Sequence, residues 1–174
     1  MTTEHDPAAP CGLRVMTWNL WWRFGPWEQR EAAIHSIVRA QQPDVVLLQE
    51  VWSDGADSAA RRIAEPLDYY VALSDDAFPA PPGEPPRIGF HNAILSRWRL
   101  HDICSVPLVN ASGVPGHRRI VAAQAETPWG PWPVLSTHLD YRFDESALRQ
   151  AQAAELLRFV DQYRGDPEDR KSVV

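Results

Sequence analysis

Apolar and polar positions along the chain change period several times, and the predicted elements follow from those changes. Residues 13–20 are a short run of apolar and β-forming types and predict a strand. Around 28–41, Trp27, Ile34, Ile37 and Val38 recur at mixed spacings of three and four, which predicts a helix that Pro43 stops. Residues 44–49 enclose Val45, Val46, Leu47 and Leu48, an unbroken run of strand length that reads as an interior strand buried on both faces. Farther on, 58–67 predicts a short helix and 69–74 a strand. The 75–86 stretch holds Pro79, Pro81, Pro82, Pro85 and Pro86 and reads as a stiff surface loop. Strands are predicted at 93–96, 99–106, 118–127 and 132–139, the last two joined as an antiparallel hairpin around Gly130. A final helix is expected over 144–162, with Asp144 as N-cap, Leu148, Ala151, Ala154, Leu157 and Val160 recurring every three residues, and Gly165 and Pro167 ending it. Residues 172–174 read as the start of another strand.

The strand, helix and strand within the first fifty residues form a βαβ unit, whose strands run parallel in one sheet through a right-handed crossover. Their carboxyl ends therefore point the same way. Asn19 closes the first and Glu50 the second, about thirty residues apart, the span such a unit needs. Open α/β sheets place ligands at that edge. The later hairpins are antiparallel, and the mixture predicts α/β layers around mixed sheets, with 1–12 as a disordered leader and one domain over 13–174.

Composition narrows the classes. A chain of 174 residues with 44% hydrophobic and 23% charged residues is a globular domain, which excludes disorder throughout and fibrous repeats. The net charge of −6 argues against a basic DNA-coating protein. No apolar stretch approaches the ~20 residues of a membrane span. Glu4 and Asp6 stand where a signal peptide would be basic and then apolar, so a cytoplasmic location is expected. Cys11 and Cys104 read as ordinary thiols, without the spacing of a disulfide scaffold or a zinc site. Sixteen prolines, roughly twice the usual ~5% share, favour loops and strand ends over a helical bundle. Trp18, Trp21, Trp22 and Trp27 cluster around the first strand, as core and rim packing or, as the lesser reading, a stacking platform.

Several polar residues at strand ends carry candidate chemistry. A carboxylate such as Glu50 after an apolar strand is as often a solvated end as a ligand; beside the Asn19 amide it suits a hard cation. Mg²⁺ takes one or two carboxylates, keeps waters and draws its other ligands from phosphate. His138 ends the 132–139 strand. On a continuing strand Asp140 would share its face, fixing its tautomer or raising its pKa. Asn92 lies between a glycine turn and the apolar run 93–96, where a turn-forming Asn is the bland explanation. Arg118 and Arg119 open a strand after a glycine-rich turn and are either phosphate donors or surface arginines.

Val15-Met16-Thr17-Trp18-Asn19, Asp44-Val45-Val46-Leu47-Leu48-Gln49-Glu50, Asn92-Ala93-Ile94-Leu95-Ser96-Arg97 and Ser136-Thr137-His138-Leu139-Asp140 occur in this order, with Arg149-Gln150 opening the next helix. Together these segments resemble the endonuclease/exonuclease/phosphatase family, from about Arg14 to Phe159. The resemblance implies a four-layer α/β sandwich of two mixed sheets flanked by helices and metal-dependent hydrolysis of phosphate esters, most readily as a phosphodiesterase. It implies Mg²⁺, with Mn²⁺ as a substitute, held by Glu50 and supported by Asn19. Asn92, Arg118 (or its neighbour Arg119) and His138 would contact the phosphate, with Asp140 in the catalytic set. Nucleic acid, phospholipid headgroups and inositol phosphates all present that group, and no obligate protein partner is evident. The chain lacks the family's later "GDFN"-like and "SDH"-like motifs, so it reads as about the first two thirds of a member, inactive alone. The competing expectations are a non-catalytic binding module that uses the tryptophan-rich rim, and a natural half-sandwich completed by dimerisation.

Overall fold

The computed structural model describes residues 12–78 and 88–164. The expected leader (apart from residue 12), the prolines of the 75–86 loop, the helix stop at Gly165 and Pro167 and the strand start at 172–174 lie outside the described residues. The order is β1 (Val15–Asn19), α1 (Trp27–Gln41), β2 (Val45–Ser53), α2 (Ala59–Ala64) with a 3₁₀ turn at Glu65–Leu67, β3 (Tyr70–Leu73), β4 (Gly89–Ser96), β5 (Leu100–Val109), β6 (Pro115–Thr127), β7 (Gly130–Thr137) and α3 (Ser146–Arg164). The strands form two sheets, β1-β2-β4-β3 and β5-β6-β7. β1 and β2 run parallel, as the βαβ reading requires, and the remaining pairs are antiparallel.

Strand alternation builds three cores between four layers. Val46 and Leu48 of β2 and Ala93 and Leu95 of β4 face Ile34 and Val38 of α1 and Ala60 and Ile63 of α2. The alternate residues, Val45 and Ile94, turn the other way and meet Val121, Ala123, Ala125 and Val134 of the second sheet. Ile120 and Ala122 then face Phe159 and Tyr163 of α3. The layers thus run helix, sheet, sheet, helix, which is the expected sandwich. No helix among the described residues is long and apolar enough to cross a membrane.

Local chemistry sets the boundaries. α1 ends on Gln42 in the left-handed conformation, whose N–H returns to Val38 O before Pro43. α2 begins where the Ser58 hydroxyl accepts the Arg61 N–H. Two expectations for the last helix are corrected. Asp144 lies outside it: Arg142 N–H donates to Asp140 Oδ1 and Glu145 N–H to Arg142 O, and this turn delays helix entry to Ser146. The buried stripe is Leu148, Gln152, Phe159 and Tyr163, whereas Leu157 is 65% exposed. A spacing of three rotates steadily off one face of a 3.6-residue helix, while alternating fours and threes stay on it.

Candidate functional site

β2 does not stop before Glu50. It continues to Ser53 through a register shift between Leu48 and Val51, with Glu50 at φ +53° as the extra residue. This is a β-bulge, and it changes what alternation would dictate. Leu48 and Val51 both face the helices, Gln49 reaches the second sheet, and Glu50 is left over. A left-handed glutamate costs of order 1–3 kcal/mol, so the surroundings must hold it there. Its carbonyl accepts the Trp22 N–H at 2.9 Å, and Gln49 O accepts the Leu20 N–H at 2.9 Å, which ties the bulge to the segment after β1.

That segment is itself strained: Trp21 and Trp22 have φ +59° and +43°. Arg30 of α1 clasps it, donating Nε to Leu20 O and Nη2 to Trp21 O and Trp22 O at 3.1–3.2 Å. Asn19 is oriented by both its neighbours. Its Oδ1 accepts the Trp21 N–H at 2.8 Å and its Nδ2 donates to Glu50 Oε1 at 3.1 Å. The amide therefore turns its nitrogen to the carboxylate and holds it.

The second sheet brings the other half. His138 follows the end of β7, with Nδ1 3.6 Å from Glu50 Oε1 and 3.2 Å from Arg118 Nη1. Arginine has only donors, so in that contact Nδ1 is the acceptor and the ring proton sits on Nε2. Burial, with the Arg118 charge behind it, pushes the His138 pKa below its ordinary value; Glu50 and Asp140 pull the other way and lose. Burial also lowers the Arg118 pKa against Asp140 and Glu50, and the Tyr141 ring lies 5.5 Å from its guanidinium carbon. The sheets are pinned beside the site: Ser136 Oγ donates to Leu48 O at 3.0 Å and accepts from Gln49 Nε2 at 3.1 Å.

Glu50, Asn19, Arg118 and His138 are thus brought together directly. Arg118 faces His138, while Arg119 reaches Asp75 at 3.4 Å. Asn92 is buried behind them, donating Nδ2 to Arg119 O at 2.7 Å, and shares a small pocket with Arg118 and His138. Asp140 differs from expectation. β7 ends at Thr137, so no continuing strand aligns it with His138, and among the described residues no hydrogen bond joins the two. Its carboxylate accepts the Arg142 N–H instead and its own N–H donates to buried Gln152 Oε1; its charge raises the His138 pKa as expected, but burial and Arg118 outweigh it and the net shift is a fall. Gln152, Tyr141 and Arg30 escaped the sequence reading. A lone polar residue on the apolar face of the last helix was the available signal for Gln152, and an aromatic directly after the His-Leu-Asp run for Tyr141; Arg30 carried none.

Glu50, Arg118 and Asp140 line a cleft of about 610 Å³. Among the described residues no three His, Cys, Asp or Glu side chains gather into a metal cage. The single Glu50 carboxylate, one oxygen held by Asn19, matches the sparse protein contribution that Mg²⁺ accepts when waters and phosphate complete its shell.

The family model for the Endonuclease/Exonuclease/phosphatase family matches residues 16–166. Among solved structures, the human Nocturnin catalytic domain with bound sulfate anion is 24% identical at a TM-score of 0.71, over 87% of this chain and 58% of that one. An endonuclease/exonuclease/phosphatase from Beutenbergia cavernae is 28% identical at 0.64, over 88% and 44%. TDP2 from Caenorhabditis elegans is 22% identical at 0.63, over 86% and 42%. The chain spans about half the length of these structures. No curated protein matches it.

Proposed function

From the premise that the chain belongs to the endonuclease/exonuclease/phosphatase family, we propose that it carries the phosphate-binding and metal-anchoring half of a hydrolase of phosphate esters, most readily a phosphodiesterase. The observation that carries this reading is the convergence of the Glu50 carboxylate, the Asn19 amide, the Arg118 guanidinium and the His138 imidazole from two sheets at one rim. Glu50 is the residue that would hold Mg²⁺, or Mn²⁺ in its place, and Asn19 steadies its carboxylate. When bound, such an ion supplies a Lewis acid that polarises a phosphoryl oxygen.

The remaining residues act on their own account. Arg118, half-buried, offers charged N–H donors to a phosphate where few waters compete. With Nδ1 engaged by Arg118, neutral His138 keeps its proton on Nε2 and can donate it to a phosphoryl oxygen on which charge develops. Asn92 supports this pair through Arg119 O, and Asp140 fixes the turn carrying Tyr141 and Arg142. The sulfate held by the Nocturnin domain is a tetrahedral anion of phosphate-like shape and is consistent with this use of the fold.

Because the relatives are longer, binding is the direct test. Mg²⁺ and then inorganic phosphate are titrated into the chain by calorimetry. We expect weak Mg²⁺ binding that falls at least tenfold in Glu50→Gln, and phosphate binding that falls about tenfold or more in Arg118→Ala, the scale of a lost charge-assisted hydrogen bond. Any hydrolysis of a simple phosphodiester should fall in both variants. Mg²⁺ and phosphate binding indifferent to both substitutions would overturn the proposal.

A further inference from the structure

The segment between β1 and α1 borders a second, smaller hollow of about 30 Å³, whose polar and aromatic lining is Trp22, Arg23, Trp27, Arg30, Glu31 and Trp52. It shares no lining residue with the cleft: Trp21 and Phe24 line the cleft, whereas Trp22, Arg23 and Trp27 line the hollow. The Arg23 guanidinium carbon lies 4.0 Å from the Trp27 ring centroid and 3.2 Å from that of Trp52. Stacking uses the face of a guanidinium and leaves its N–H donors, which lie in its plane. Among the described residues Arg23 makes no hydrogen bond or ion pair with them. Trp52 is 4% exposed, and its Nε1 is buried with no hydrogen-bond partner among the described residues. In the same lining Trp22 Nε1 donates to Gly89 O at 2.9 Å, so the orphaned Trp52 donor is an exception within its own wall. A buried donor without an acceptor costs free energy, and a bound ion is one of the few things that explains it.

We propose that this hollow is a binding site for a small carboxylate, held by the Arg23 fork and the Trp52 indole N–H. The inference goes beyond the phosphoesterase reading and uses none of its residues. Two guanidiniums face one carboxylate in the lining, so the hollow is locally positive in a chain whose net charge is −6. Arg30 contributes charge, its Nε and Nη2 being committed to the carbonyls of Leu20, Trp21 and Trp22. Glu31 is the opposing charge, and it is engaged elsewhere: its Oε1 lies 3.4 Å from Arg62 Nη1 and 4.0 Å from His35 Nε2. The planar arginine fork matches the two oxygens of a carboxylate, whose lone pairs leave room for a third donor. A halide offers a single centre and cannot meet both prongs. The volume exceeds what one water needs and falls far below the site of a drug-sized ligand, which selects a ligand of few heavy atoms.

The test follows the Trp52 indole N–H resonance of the full chain by nuclear magnetic resonance, assigned through Trp52→Phe, while sodium acetate, sodium sulfate or sodium chloride is added at matched ionic strength. We expect acetate to shift the resonance saturably, and sulfate and chloride to bind more weakly. Arg23→Met keeps a stem over the rings and removes the fork; acetate affinity should fall about tenfold or more, the scale of a lost hydrogen bond to a charged group. Arg23→Lys, which keeps the charge without the fork, should fall between, with unchanged circular dichroism as the check on folding in both. Arg118→Ala, in the cleft, should leave the acetate titration as it is in the parent, so this site stands or fails apart from the phosphate reading. A resonance that answers to none of the three salts would overturn the site and leave a buried water as the partner of Trp52. An equal response to all three would overturn it as a general salt effect, and tighter binding of sulfate would overturn the assignment to a carboxylate. Saturation by acetate that is undiminished in Arg23→Met would overturn the role of the fork and, with it, the proposal.

Discussion

His138 shows how much a single side chain can be made to carry. Burial and the adjacent Arg118 depress its pKa below the ordinary 6.5, outweighing Glu50 and Asp140. A base with a depressed folded-state pKa takes up its proton later than the unfolded chain does. Between the two pKa values the unfolded state holds more protons, so stability is full above about pH 6.5 and declines as pH falls toward the folded-state value. In chelator-treated protein, denaturant unfolding should therefore show stability declining as pH falls below about 6.5, and His138→Gln should flatten that decline. A nuclear magnetic resonance titration placing the His138 midpoint above 6.5 would contradict it. The residues of this centre were legible because each stands at the end of a strand as the sequence predicts it, inside an ordered run of motifs, although β2 and β6 extend past those predicted ends. The direction of the Asp140 side chain was not, since alternation ceases to govern once the strand has ended at Thr137.

At the scale of elements, the decisive feature is the coupling of two left-handed stretches. Glu50 in its bulge hangs on the Trp22 N–H, and the Trp21–Trp22 segment hangs on Arg30 from α1. Arg30 is a positioning residue: three carbonyls of a strained segment converge on one planar cation. Arg30→Met should destabilise the protein by about 1.5–3 kcal/mol, the range for hydrogen bonds to charged groups. Arg30→Lys, which keeps the charge but loses the fork, should fall between. The same variants should weaken Mg²⁺ binding through Glu50, a change that general destabilisation would not give in protein still fully folded. Denaturant titrations indistinguishable from the parent would remove Arg30 from this role. None of this was written in local sequence. The run 44–49 announces a strand, but an extra residue inserted at position 50 leaves no mark in an apolar pattern, and Arg30 looks like any helical surface arginine. The helices and strands themselves were legible wherever period and caps agreed, and the last helix was misplaced in face because a repeat of three was followed where the burial obeys 3.6.

For the molecule as a whole, the site exists only because two sheets stack in one register. Asn19 and Glu50 come from the first sheet, Arg118 and His138 from the second, and only the middle core and a few polar pins hold them within hydrogen-bond reach. The four-layer arrangement was foreseeable from the family resemblance; the βαβ unit and the hairpins by themselves predicted only α/β layers around mixed sheets. The pins were not, since Ser136 and Gln49 meet across 87 residues of chain. Ile94 sits fully buried between the sheets, against Val121 and its neighbours. Ile94→Ala should cost about 2–5 kcal/mol, the lost transfer energy plus the cavity left in a close-packed layer. Leu157→Ala, on the exposed face of α3, should stay within about 0.5 kcal/mol of the parent. The comparison has a functional arm. If the sheets are what aligns the rim, Ile94→Val, a loss of about 0.5–1.5 kcal/mol that leaves the protein folded, should weaken phosphate binding at Arg118 although Ile94 lies in the core and not in the cleft lining. A phosphate affinity equal to the parent's in that variant would mean that the polar pins alone set the geometry, and that the core between the sheets serves stability only.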